Sequence, residues 1–159
     1  MSKAGDEKFM RLALKECEKG IRAGGGPFGS VIARNGRLVA SAHNTVVKTR
    51  DATAHAEVNA IRIAGRKLRS HDLGGCTVYA TTEPCPMCFS AIHWAYAERI
   101  VYGASIEDAA AAGLHELKIH DSLLKKLGHE KVQITSGVLR DECVRVLREW
   151  GASPKSVKY

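Results

Sequence analysis

A chain of 159 residues, 45% apolar and 26% charged, has the size and composition of one globular domain that buries a core without disulfide staples. That composition excludes a disordered or low-complexity protein. No run reaches the ~18 apolar residues that span a bilayer, and no apolar leader precedes the first amphipathic segment, so a cytoplasmic protein without membrane association is expected. The net charge is +7, but its densest cluster, Arg62, Arg66, Lys67 and Arg69, falls on a predicted helix, where a solvated face is the ordinary outcome. Nucleic acid is therefore not the expected partner.

In chain order, residues 6–23 carry Phe9, Leu12, Ala13, Cys17 and Ile21 at three- to four-residue steps, a helix stopped by Gly24, Gly25 and Gly26. Residues 28–33 and 37–42 flank Asn35–Gly36, a two-residue hairpin signal. Helical spacing returns over 53–68 through Ala56, Ala60, Ile61 and Ala64. Residues 77–81 alternate as a strand, and Pro84 opens a helix running to about Ala95. Short strands follow at 99–103 and 132–135, with helices over 121–127 and 139–150. Five strands interleaved with helices predict an α/β fold, a three-layer α/β/α sandwich around a central mixed five-stranded sheet. The hairpin makes the first pair antiparallel and the later crossovers favour parallel pairing. With no repeat or linker, residues 1–159 form one domain, of which 152–159 are a tail.

Five cysteines, an odd number, argue against a disulfide framework. Cys17, Cys76 and Cys143 are scattered and read as small core residues. Cys85 and Cys88 are different. Three residues apart at a helix start, they place both sulfurs on one face, where the helix N-terminus favours the thiolate. His55, at the start of another helix, supplies a nitrogen ligand. Three protein ligands leave the fourth tetrahedral position for water, the pattern of a catalytic zinc at about one ion per chain. Glu57, two residues after His55, reaches that position without being a ligand and can move protons between the water and a leaving amine. A redox pair would leave His55 and Glu57 unexplained. A structural zinc would want a fourth ligand, and His71 and His93 stand isolated. His43, His71, His93, His120 and His129 read as ordinary surface or core residues.

The segments Gly25–Gly26–Pro27–Phe28–Gly29, His43–Asn44, Thr53–Ala54–His55–Ala56–Glu57 and Thr82–Glu83–Pro84–Cys85–Pro86–Met87–Cys88 resemble the cytidine deaminase-like superfamily, whose zinc enzymes share this H-x-E and P-C-x-x-C arrangement. Within it, the chain is most similar to the small bacterial guanine deaminases. The resemblance implies that Phe28 stacks on the base, Asn44 hydrogen-bonds a ring atom, the Ala56 N–H donates to the substrate carbonyl, the Glu83 carbonyl accepts from the departing amine, and Trp94 lines the pocket wall. It further implies that Glu116 reads the purine N–H edge, where a carboxylate meets two donors. The Phe-Asp common in such enzymes near this place is Leu114–His115 here. The implied reaction is zinc-dependent deamination of a free purine base, guanine to xanthine and ammonia. Cytosine, guanosine or another small base stands as an alternative, then tRNA adenosine and, outside enzymes, a zinc-stabilised RNA-binding module. A homodimer is also implied, with the tail closing the site, by domain swapping in one form, and presenting Tyr159 to the base.

Overall fold

The computed structural model describes residues 2–154, Ser156 and Val157. In chain order the elements are α1 (Lys3–Arg22), β1 (Gly29–Arg34), β2 (Arg37–His43), α2 (Val46–Thr49), α3 (Ala56–Leu68), β3 (Cys76–Thr82), α4 (Pro86–Trp94), β4 (Arg99–Ala104), α5 (Ile106–Ala111), α6 (Asp121–Leu127), β5 (Gln133–Thr135) and α7 (Arg140–Ala152). The five strands form one sheet in the order β2-β1-β3-β4-β5. β1 is antiparallel to both β2 and β3, whereas β3–β4 and β4–β5 are parallel. This is the mixed five-stranded sheet expected from the sequence, with helices on both faces.

Alternation along each strand sends neighbouring side chains to opposite faces and so divides the core in two. Val31, Ala33, Tyr79 and Val101 pack beneath α1 and α7 with Phe9, Met10, Leu147 and Trp150. Ile32, Val78 and Ile100 pack beneath α3 and α4 with Ala60, Ala64, Phe89 and Ile92. Cys17, Cys76 and Cys143 are buried, as expected of core residues. The hairpin turns on Asn35 and Gly36, at φ 52 and 72, the left-handed pair that a type I′ turn requires. Gly29 serves close approach instead: a Cβ there would strike the backbone of Ala13 and Cys17, so its absence lets α1 lie directly on β1.

Local chemistry moves three boundaries. α3 begins at Ala56 and not at residue 53, because Asp51 Oδ1 accepts from the Thr53 N–H at 2.8 Å and from its hydroxyl at 2.7 Å, an Asx turn that competes with helix. Pro84 does not open α4. Cys85 is the N-cap and Pro86 occupies the first helical turn, where the missing N–H costs nothing. The short helices α2 and α5 add to the elements expected from spacing. α5 is announced by Ser105 and Asp108, which cap each other's backbone N–H groups. Among the described residues no helix is long and apolar enough to cross a membrane.

Candidate metal centre and base pocket

Two helix N-termini converge at the C-terminal end of β3. His55 is the N-cap of α3 and Cys85 the N-cap of α4, both in extended backbone and neither using its side chain to cap the helix. Cys88 lies one turn into α4. The loop leading to His55 is tied down by Asn59, whose Nδ2 donates to the carbonyls of His43 and Ala54, each at 3.1 Å, and to Thr45 Oγ1 at 3.0 Å.

The His55 Nδ1 atom stands 3.7 Å from Cys85 Sγ and 3.6 Å from Cys88 Sγ. A tetrahedral ion with Zn–S near 2.3 Å and Zn–N near 2.0–2.1 Å would hold N and S roughly 3.6 Å apart, so these side chains fit zinc. Their electrostatics agree. Cys85 is drawn down to about 4, first by its hydrogen bond with Cys88, with His55 adding to the effect against the cost of burial. Cys88 moves the opposite way, pushed up by Cys85 and by burial. One thiolate and one retained proton between two sulfurs is a charge arrangement that a divalent cation completes. Burial opposes a charged His55, but the Cys85 hydrogen bond and the negative Glu57, Cys85 and Glu116 carry its basicity upward.

Glu57 is only 7% exposed. Burial raises its pKa, the Cys85 charge raises it further, and His55 partly offsets both. Glu116 comes from the irregular stretch between α5 and α6 and is half-buried. Its carboxyl is pushed up to about 7 by burial, then by the charges of Cys85 and Glu57, against the pull of His55. Glu57 and Glu116 therefore share one electrostatic field with His55 and Cys85, although 59 residues separate them along the chain.

The expected base-binding residues divide. Phe28 is half-buried against the α1 side of the core, and its carbonyl accepts from the Asn44 N–H at 3.1 Å, which joins the two segments. Asn44 is 1% exposed. Its Oδ1 accepts from Val46 N–H at 3.1 Å, while its Nδ2 has no partner among the described residues. A buried amide donor left open in this way calls for an acceptor from outside the chain. Ala56 is buried in the first turn of α3, where helix N–H groups lack intrahelical partners. The Glu83 side chain is pinned, accepting from the Ile106 N–H at 3.3 Å and the Asp121 N–H at 3.1 Å, so its peptide is held rigidly before Cys85.

Trp94 stands at the last position of α4. It is 70% exposed, stacked edge-on against His93 at 5.0 Å, and lines an outer hollow with Val58, Ile61 and Arg62. Ile92, two residues earlier on the same helix, is buried. Tyr159 lies outside the described residues. Asp121, which the sequence did not single out, is completely buried with both carboxylate oxygens unpartnered among the described residues. Burial, then Glu83, Glu57 and Cys85, push it up to about 8.

A family model for the cytidine and deoxycytidylate deaminase zinc-binding region matches residues 3–104. The guanine deaminase of Bacillus subtilis is 42% identical over 120 residues, covering 75% of this chain and 77% of that protein. A tRNA-specific adenosine deaminase of the same organism is 35% identical over 138 residues, covering 87% and 83%. Among solved structures, that of a guanine deaminase from Nitrosomonas europaea superimposes with a TM-score of 0.86 at 33% identity, covering 92% of this chain and 85% of that one.

Proposed function

Because the chain belongs to the cytidine and deoxycytidylate deaminase family and is a zinc-dependent deaminase, we propose that it hydrolyses guanine to xanthine and ammonia. The observation that carries this reading is Glu116, a second carboxyl in the field of His55, Cys85 and Glu57. Guanine presents adjacent N–H donors, and a two-oxygen acceptor suits them better than it suits the donor-acceptor edge of adenine or cytosine.

His55, Cys85 and Cys88 would hold the zinc, which when bound would supply Lewis-acid activation of the attacking water. Glu57 takes a proton from that water and returns it to the departing amine. Its raised pKa suits both steps, since the carboxyl accepts the proton readily and gives it up later. Phe28 offers a flat apolar surface to the ring, and the free Nδ2 of Asn44 donates to a ring acceptor. The Ala56 N–H and the Glu83 carbonyl, each fixed in its turn, orient the carbonyl and amine of the substrate. A homodimer in which residues 152–159 close the site, with Tyr159 against the base, completes the reading and keeps water from the reacting atoms. A free base is the substrate class, met in the cytoplasm.

Ammonia release from guanine, guanosine, cytosine, cytidine, adenine and tRNA tests the assignment. Guanine should be turned over fastest. The net charge of +7 and the tRNA-specific relative favour tRNA adenosine as the second reading, and faster turnover of tRNA than of guanine would replace the first with it. Gel filtration, with kinetics after deletion of residues 154–159, tests the assembly: a monomer with unchanged KM and kcat would remove the tail from the site.

A further inference from the structure

Glu116 sits midway along a stretch, residues 112–120, with neither helix nor strand to hold it. Its near end is fixed by Leu114, which is buried and donates its N–H to the Ala109 carbonyl at 3.1 Å. Residues 115, 117 and 118 are exposed. The far end is fixed by the backbone of His120, whose carbonyl accepts from the Leu123 and Leu124 N–H groups at 3.0 and 3.1 Å, and by its ring. His120 Nδ1 stands 3.2 Å from both oxygens of Glu83, and its Nε2 stands 2.9 Å from Glu107 Oε1. Both ring nitrogens face carboxylates, so both act as donors. Glu83 lies two residues before Cys85, and Glu107 lies in the first turn of α5, the helix that precedes the stretch. The imidazole thus ties the end of the strap simultaneously to the turn that carries Cys85 and to the helix from which the strap departs.

We propose that His120 is a positioning residue for base recognition: by bridging Glu83 and Glu107 it holds residues 113–119 against the metal centre and so fixes where the Glu116 carboxyl stands. The inference rests on the reading of Glu116 given above. Without the bridge, that end of the strap keeps the Asp121 N–H bond to Glu83 and the bonds of the His120 carbonyl into α6, but loses its side-chain tie to Glu83 and Glu107. Misplacing a recognition carboxylate by an ångström weakens substrate binding before it affects the distant proton shuttle, so the loss should fall mainly in KM.

A double-mutant cycle on the zinc-loaded full chain tests this, with guanine as substrate. His120→Ala should lower kcat/KM about tenfold, chiefly through KM, at unchanged zinc content, and speed amide hydrogen exchange over 113–119. His120→Gln, which keeps one donor toward Glu83, should recover part of the loss. The double variant His120→Ala/Glu116→Gln should be no worse than Glu116→Gln alone. Losses that multiply, or a His120→Ala enzyme with wild-type KM beside an impaired Glu116→Gln enzyme, would overturn the positioning role. An unimpaired Glu116→Gln enzyme would instead overturn the base-reading role itself, and the positioning role with it. If His120→Ala does not fold, Glu107→Ala breaks only the exposed half of the bridge. It should then raise KM by about threefold in a manner masked by Glu116→Gln, and unchanged kinetics would overturn the proposal.

Discussion

Asp6 and Arg99 meet through two parallel hydrogen bonds, each 2.8 Å long, across 93 residues of sequence. The same carboxylate accepts from the buried Tyr79 hydroxyl at 3.0 Å, and Arg99 also donates to Thr135 Oγ1 at 2.8 Å. One nearly buried carboxylate therefore joins α1 to β3 and β4, and through Arg99 to the edge strand β5. Truncating it strands a guanidinium that is itself mostly buried. Asp6→Ala should cost about 3–5 kcal/mol of unfolding free energy, read from urea melts, while the purified folded protein keeps its zinc because no ligand lies on these elements. A loss below about 1 kcal/mol would mean that the pair behaves as an exposed one.

The proton shuttle gives a sharper test. Glu57→Gln preserves shape and burial but cannot accept a proton. The variant should retain about one zinc per chain and lose at least about a hundredfold in kcat, measured by ammonia release beside metal analysis. Turnover near the wild-type rate would show that another group moves the protons.

Glu116 carries a pH signature. Its carboxyl titrates near 7, and only the ionised form accepts from two donors at once. kcat/KM for guanine should therefore rise with pH through about 7, and this limb should vanish in Glu116→Gln, whose rate stays low throughout. A cytosine-like side substrate should lose less in the variant. Equal losses on both substrates would mean that Glu116 supports the loop and does not read the base.

Asp121 affects stability in a direction that can be worked out. Its carboxyl titrates near 8 in the folded protein, against an ordinary value of 3.8, so the folded chain keeps a proton that the unfolded chain releases. Stability must then fall as pH rises between those two values, with the loss complete above the higher one. Asp121→Asn removes the titration and keeps the backbone N–H bond to Glu83. The Tm of the variant relative to the parent should climb by a few degrees between about pH 5 and about pH 9. A difference independent of pH would contradict the burial argument.

What the sequence discloses depends on how local the cause is. Asn35–Gly36 specifies its own turn, so the hairpin is legible from two residues. The i, i+3 pair Cys85 and Cys88 likewise states its geometry in four. His55 is a nonlocal partner, yet the H-x-E pattern exposes it. The antiparallel pairing of β1 with β3 is different, because it depends on how the layers stack and not on any turn between neighbours. Trp94 enters as a pocket wall only through the resemblance, since nothing local to its position on α4, where it is 70% exposed, announces that role. His120 looks solitary in the sequence, and only folding brings it to Glu83, 37 residues away. The short α5 was legible after all: the Ser105–Asp108 spacing is a capping signal preceding a run of good helix formers.

His55 and Cys85 stand where Ser, Thr, Asp or Asn would ordinarily satisfy the exposed N–H groups of a helix, and neither does so. Two helices have thus surrendered the side chains that would fasten their first turns, so that those side chains can serve as ligands. The cation becomes the fastener they share. Chelation should accordingly loosen both turns together, appearing as paired protection losses at the starts of α3 and α4 in hydrogen exchange. Replacing either ligand by aspartate or serine would tighten its own helix while dismantling the joint between the two. Local stability and catalysis compete here for the same two positions.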